Sequence, residues 1–228
     1  MKTILAPIHP AGWPFIVLFA VVTVILMMFS KTLGFLGLIL TGWCVYFFRN
    51  PHRITPLGKG LIISPGDGIL TKIEKAVPPK ELKWTKKPLT RISIFLNVFD
   101  VHVNRIPVDG VISKIQYHPG KFFNASLDKA SEFNERNSLL IKTPTGQEIL
   151  VVQIAGLIAR RILCEVQEEQ TMKAGETFGI IRFGSRVDLY LPDGVNPQVI
   201  EGQRMIGGET IMADLLSDEP QRLGALRA

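Results

Sequence analysis

Cysteine is nearly absent from this chain. Cys44 and Cys164 are the only two in 228 residues, which excludes a disulfide framework, and neither stands in a metal-ligand spacing. One lies in an apolar run and the other in a strand-like stretch, so both read as packing residues. Tandem repeats are absent, and helical periodicity is scarce outside two N-terminal segments. Those segments, Trp13 to Phe29 and Leu33 to Phe48, lack charge altogether. No small-residue cleavage site separates the first from a soluble segment, and the second follows at once, which argues against a signal peptide. The formal net charge of +6 is modest for nucleic-acid binding, and no nucleic-acid partner is expected. It suits a domain resting on an anionic bilayer.

Each apolar segment is close to the lower limit of about 17 residues for crossing a hydrocarbon core. Two short helices joined at Ser30-Lys31-Thr32 are expected, so that residues 1–50 form a membrane anchor ahead of a domain at 51–228. Lys2, Arg49, His52 and Arg53 flank the pair, whereas the turn carries only Lys31. By the positive-inside rule both ends, and the large domain, face the cytoplasm. A full span and a one-leaflet hairpin give the same placement. Six lysines fall between Lys72 and Lys87, and Trp84 sits among Lys83, Lys86 and Lys87. An indole flanked by ammonium groups suits the headgroup layer, so this segment is expected to touch anionic phospholipid.

After Pro51 short apolar runs alternate with turn residues, the pattern of a mainly β, compact and sandwich-like domain. Strands are expected at Leu61–Ile63, Gly68–Ile73, Arg91–Val98, Gly110–Tyr117, Ser138–Lys142, Glu148–Ile154, Ile162–Val166, Phe178–Phe183, Val187–Leu191 and Gln198–Glu201. Gly156–Arg161 reads as one short helix, Ser126–Arg136 as a loop over a site, and Asp214 onward as a frayed tail.

Three islands carry chemistry: Ser64-Pro-Gly-Asp67-Gly68, then Asp100-Val-His102-Val-Asn104-Arg105, then Phe183-Gly184-Ser185. Glycine leaves the Gly184 carbonyl unshielded and strand-like residues on either side hold the bond in place. Ser185 Oγ can attack that carbonyl, the amide becomes an ester, and β-elimination leaves a new chain that begins with a pyruvoyl group. An acid, a histidine and a hydroxyl are the parts of an acid-oriented base acting on a serine. The expected triad is Asp67, His102 and Ser185: His102 takes the serine proton, Asp67 orients His102, and Asp100 supports the strand that carries it. Arg105 and Arg186 are candidates for binding an anionic substrate group, with Asn104 and Phe183 beside them. No metal is needed.

Taken together with the apolar N-terminus, these islands resemble the phosphatidylserine decarboxylase family, in its short prokaryotic form, over the chain from the membrane segments to about residue 205. The resemblance implies self-cleavage into a β chain, 1–184, and an α chain, 185–228, which stay together as a heterodimer; whether the heterodimer pairs again into a homodimer is left open. It implies a covalent pyruvoyl cofactor from Ser185, a Schiff base with the amine of phosphatidylserine in the membrane, and release of phosphatidylethanolamine after protonation by His102. Longer relatives carry a second histidine where this chain has Asn104-Arg105, so proton chemistry rests on His102. If the anchor only tethers the domain, a chain starting near Pro51 keeps the self-cleavage chemistry. A membrane-tethered, lipoyl-like adaptor domain without catalysis is the alternative reading; a pyruvoyl enzyme acting on a soluble amino acid is a second.

Overall fold

A computed structural model describes residues 6–121, 133–156, 161–182 and 184–225. Two antiparallel helices come first, α1 (Trp13–Phe29) and α2 (Lys31–Phe47). The break between them is one residue wide: Ser30 is extended, and α2 starts at Lys31 rather than after the expected three-residue turn. Small residues let the helices approach, for a Cβ on Gly37 would sit 2.7 Å from Thr23 Oγ1. The Thr23 and Thr41 hydroxyls lie 3.0 Å apart and within reach of the carbonyls four residues back, Phe19 and Gly37, so their two protons are shared among these three contacts. Their hydroxyls are thereby satisfied without water. The outer faces stay bare, with Val17, Leu18, Val21, Ile25, Phe35 and Ile39 all about half exposed.

The β domain contains β1 (Leu61–Ile63), β2 (Gly68–Ala76), β3 (Leu89–Leu96), β4 (Val103–Arg105), β5 (Gly110–His118), β6 (Arg136–Lys142) and β7 (Glu148–Ala155), followed by β8 (Ile162–Cys164), β9 (Thr171–Met172), β10 (Thr177–Ile181), β11 (Ser185–Leu191), β12 (Arg204–Met205) and β13 (Ile211–Asp214). Eight of these form one antiparallel sheet in the order β12-β2-β3-β11-β7-β6-β5-β9. This sheet curls around the main core. Strands β4, β10 and β8 make a second sheet, and β1 pairs with β13. The mainly β expectation therefore holds. The expected strand at Gln198–Glu201 is instead a turn region, and the pairing there passes to Arg204–Met205 on β2. Asp214 closes β13 rather than opening a tail. Most of the expected helix at Gly156–Arg161, and the expected loop from Ser126 to 132, lie outside the described residues.

The hairpin stands on the domain. Ile16, Cys44, Phe47 and Phe48 form a buried cluster with Val101, Val103 and Ile180 from β4, its approach and β10. Backbone bonds lock the joint: His9 N–H donates to the Phe48 carbonyl at 2.8 Å and Asn50 N–H to Pro7 at 2.7 Å.

The lysine-rich segment lies elsewhere. Strand β3 starts beside it at Leu89 and ends at Leu96, next to the hairpin joint, so about 24 Å of strand separates the two. Trp84 packs on the outer sheet cluster and donates its indole N–H to Glu148 at 2.6 Å. Trp84 therefore has protein partners for both its polar tip and its ring.

Candidate active site

Strand β11 begins at Ser185, paired with Leu96 of β3 on one side and Ala155 of β7 on the other. Ser185 is fully buried, and its Oγ has no hydrogen-bond partner. An unpartnered buried hydroxyl is costly unless it has work to do. The preceding Gly184 adopts φ +72°, a left-handed conformation that side chains resist, and so turns the chain sharply into the strand. Its N–H donates to His102 Nε2 at 3.1 Å, and its carbonyl accepts from Gly156 N–H at 3.1 Å. The residue before Ser185 is therefore held on its N–H by His102 and on its carbonyl by Gly156, while Ser185 Oγ makes no hydrogen bond to His102.

His102 is fully buried with its ring centroid 4.4 Å from that of Phe47, in the foot of α2. Its Nδ1 lies 3.1 Å from the Asp100 carbonyl. A carbonyl only accepts and the Gly184 N–H only donates, so the network assigns the proton to Nδ1 and the lone pair to Nε2. Burial pushes the imidazole pKa down to about 4, against the raising effect of the Asp100 carbonyl and carboxylate. The ring is thus a neutral base at physiological pH with its lone pair one residue from Ser185.

The sequence-based triad needs correction at Asp67. Its carboxylate takes Arg53 Nη2 at 2.9 and 2.7 Å and Gly207 N–H at 2.8 Å, with no hydrogen bond to His102. Burial raises its pKa, which Arg53 and the Gly207 bond oppose. The orienting role belongs to the Asp100 backbone carbonyl. The Asp100 carboxylate in turn accepts Asn97 N–H at 2.9 Å and pairs with Arg204, which stiffens the turn that presents His102.

Three of the four expected substrate contacts are described. Asn104 lies by the site: its Nδ2 is 3.3 Å from where a Gly66 Cβ would stand, beside Leu96 and Val187. Its Oδ1 accepts from Gln153 at 2.8 Å, while Nδ2 is buried without a partner. Arg105 is corrected, because its guanidinium is held by the Gly175 carbonyl, Asn50 Oδ1 and the Pro51 carbonyl at 2.7–2.9 Å. It ties the linker to the domain. Arg186 is corrected too: side chains alternate along a strand, so it faces the opposite side of the sheet from Ser185 and pairs there with buried Asp188. Phe183 lies outside the described residues.

Sequence reasoning missed Arg53 on Asp67, Phe47 on His102 and the Gly156 N–H. The first two had a faint signal, a cation just after an apolar run and an aromatic pair, Phe47-Phe48, at its end. The third had none, since a backbone donor carries no residue signature.

Comparison with known proteins decides the family. The family model described as phosphatidylserine decarboxylase matches residues 40–213. The chain belongs to the phosphatidylserine decarboxylase family. Among its relatives, the phosphatidylserine decarboxylase proenzyme of Cereibacter sphaeroides is 55% identical over 227 residues, covering 100% of this chain and 98% of its own. That of Ruegeria pomeroyi is 58% identical over 213 residues, 93% and 97% of the two chains. That of Rickettsia bellii is 57% identical over 207 residues, 91% and 90%. These relatives are enzymes, named as precursors. The family match opens inside α2, so it includes the hairpin foot that covers His102.

Proposed function

We propose that this chain is a membrane-associated lyase that converts phosphatidylserine to phosphatidylethanolamine, using a pyruvoyl group made from Ser185 by self-cleavage. The observation that carries this reading is the buried, unpartnered Ser185 Oγ beside a Gly184 whose N–H rests on His102 Nε2 and whose carbonyl rests on Gly156 N–H. As Ser185 Oγ adds to the Gly184 carbonyl carbon, the Gly184 N–H releases His102 Nε2, whose freed lone pair takes the hydroxyl proton, and Gly156 N–H holds the developing oxyanion. Collapse breaks the Gly184–Ser185 C–N bond and leaves an ester and a free amine. Loss of the Ser185 α-proton then breaks the Cβ–Oγ bond and frees the Gly184 carboxylate. The resulting dehydroalanine tautomerises to an imine, and one water displaces ammonia to leave the ketone.

The residues around Ser185 fit the group, since the site is buried and Leu96, Val187 and Ala155 surround it with apolar surface. The pyruvoyl ketone supplies the electron sink that a departing carboxylate requires. His102, neutral and shielded, would take a proton at Nε2 from the substrate amine as that amine condenses and return it to the product carbon. Cleavage leaves the two chains joined, because β11 is hydrogen-bonded along its length between β3 and β7, and β12 and β13 pair with β2 and β1. The proposed heterodimer of 1–184 and 185–228 thus needs no further contact.

The membrane placement is supported by the 20-residue apolar segment Pro10–Phe29, only 17% buried, where the core helix of a soluble protein would be mostly covered. Arg49 and Arg53 at the inner end and Lys31 alone at the turn support a cytoplasmic domain. Intact-mass analysis of full-length protein, with phosphatidylserine turnover measured in parallel, tests the function. The expected result is two chains, the smaller one lighter by ammonia than a serine-started peptide, and an inactive, uncut Ser185→Ala. An uncut wild-type chain that still decarboxylates, or a cut one that begins with serine, would overturn it.

A further inference from the structure

With Arg105 and Arg186 engaged elsewhere, a different pair of cations stands beside the site. Arg182 leaves β10 two residues before Gly184. It lies on the hairpin side of that strand, as Ile180 does, and its Cζ is 5.0 Å from the centroid of the Phe15 ring in the first turn of α1. Its Nε is buried and has no hydrogen-bond partner, and no carboxylate pairs with its guanidinium among the described residues. The backbone N–H of Arg182 donates to the Arg161 carbonyl at 3.2 Å, which brings the two side chains to the same place. Burial first and Arg161 second push the Arg182 pKa down. Arg161 is exposed and likewise makes no ion pair among the described residues.

Two neighbouring guanidinium groups, one half-buried and neither in an ion pair among the described residues, repel each other, and an anion bound to both relieves that repulsion. The position says which anion. Phe15 opens the apolar span, so Arg182 lies at the level where lipid phosphates meet the end of a membrane helix. Three residues of chain, about 10 Å, reach from it to Ser185, so a lipid anchored there by its phosphate presents its headgroup to the cleavage-site serine.

We propose that Arg182 and Arg161 bind the phosphodiester of the lipid substrate and so set its headgroup in the Ser185 site. This rests on the decarboxylase reading above. The test uses full-length, matured protein in neutral detergent micelles with a varied surface fraction of phosphatidylserine, where the apolar hairpin keeps every variant on the micelle. Arg182→Gln and Arg161→Gln should each still be cut at Gly184–Ser185, and each should raise KM about tenfold or more with a smaller change in kcat, as expected on losing a charge-assisted hydrogen bond. Arg182→Lys should recover part of the loss by restoring charge without the planar fork. Binding to phosphatidylcholine vesicles carrying phosphatidylglycerol separates substrate from surface: the variants should bind as the wild type does.

An unchanged KM in cleaved, active variants overturns the proposal while leaving the decarboxylase reading intact. Loss of vesicle binding with an unchanged micellar KM also overturns it and assigns the pair to the bulk anionic surface. Loss of cleavage in both variants overturns it by making the pair an element of maturation. A wild-type protein that neither cleaves nor decarboxylates sinks the underlying reading instead.

Discussion

Phe47→Ala should convert the self-cleavage of this chain from pH-insensitive to pH-dependent. Phe47 is fully buried, packs on Phe48 and Trp43, and lies against His102. Truncating a buried phenylalanine costs about 3–5 kcal/mol, and the space left over the imidazole admits water. Burial is the leading cause of the low His102 pKa, about 4, so hydration returns it toward the unperturbed value near 6.5. At pH 5.5 a base of pKa about 4 is about 97% neutral and one of about 6.5 only about 9%, a tenfold difference in available base. Wild-type cutting should therefore stay level from pH 8 to 5.5. Phe47→Ala should slow about tenfold between pH 7.5 and 5.5, and Phe47→Leu, which keeps the cover apolar, should stay level. The assay is the uncut fraction against time on a gel at each pH, starting from chain synthesised in a cell-free system. A flat profile in Phe47→Ala, or a wild-type midpoint near 6.5, refutes the argument. The same shift has a stability consequence: between pH 6.5 and 4 the unfolded chain binds the proton that folded His102 refuses. That contribution is complete above pH 6.5 and is lost as the pH falls toward 4, by at most roughly 3 kcal/mol.

Two further outcomes follow from the corrected contacts. Arg53→Met leaves Asp67 buried without its cation and should cost about 3 kcal/mol or more, while adding Asp67→Leu should restore part of the loss; equal stability of the single and double variants in denaturant titration would show the pair is uncoupled. Arg186→Gln should destabilise by about 3 kcal/mol, at the low end for a broken buried pair because Arg91 still faces Asp188 at 3.8 Å, yet leave the KM for phosphatidylserine unchanged; a raised KM would return Arg186 to the site.

What the sequence disclosed depended on whether a signal was local. The Gly184–Ser185 bond was legible because glycine at a strand entry is a local fact, and the structure gives that glycine a positive φ and starts β11 at the serine. Arg186 was misassigned by proximity when period-two alternation already placed it across the sheet from Ser185. Asp67 was assigned to His102 because acid, histidine and serine make a familiar set. Nothing local shows that Arg53, fourteen residues earlier, reaches the same carboxylate. The separation of the lysine-rich segment from the hairpin was hidden for a directional reason: adjacency in sequence says nothing once β3 carries the chain the length of the sheet away from it.

The sequence alone reads the hairpin as a tether, whereas the structure packs its foot into the domain. Removing residues up to 50 would uncover Val101, Val103 and Ile180, strip Phe47 from His102, and take away the Asn50 contact of Arg105. Each change hydrates or loosens the strand that presents the base. Because burial keeps that base neutral against the raising effect of the Asp100 carboxylate, its cover is part of its chemistry. On the proposed reading, the base that would cut the chain reaches its working environment only once the apolar helices have docked, and the same helices would set the level at which a lipid headgroup meets Ser185. Anchoring and maturation would then be one structural event, and the foot of α2, rather than the length of the apolar span, is the part of the hairpin that the proposed self-cleavage should require.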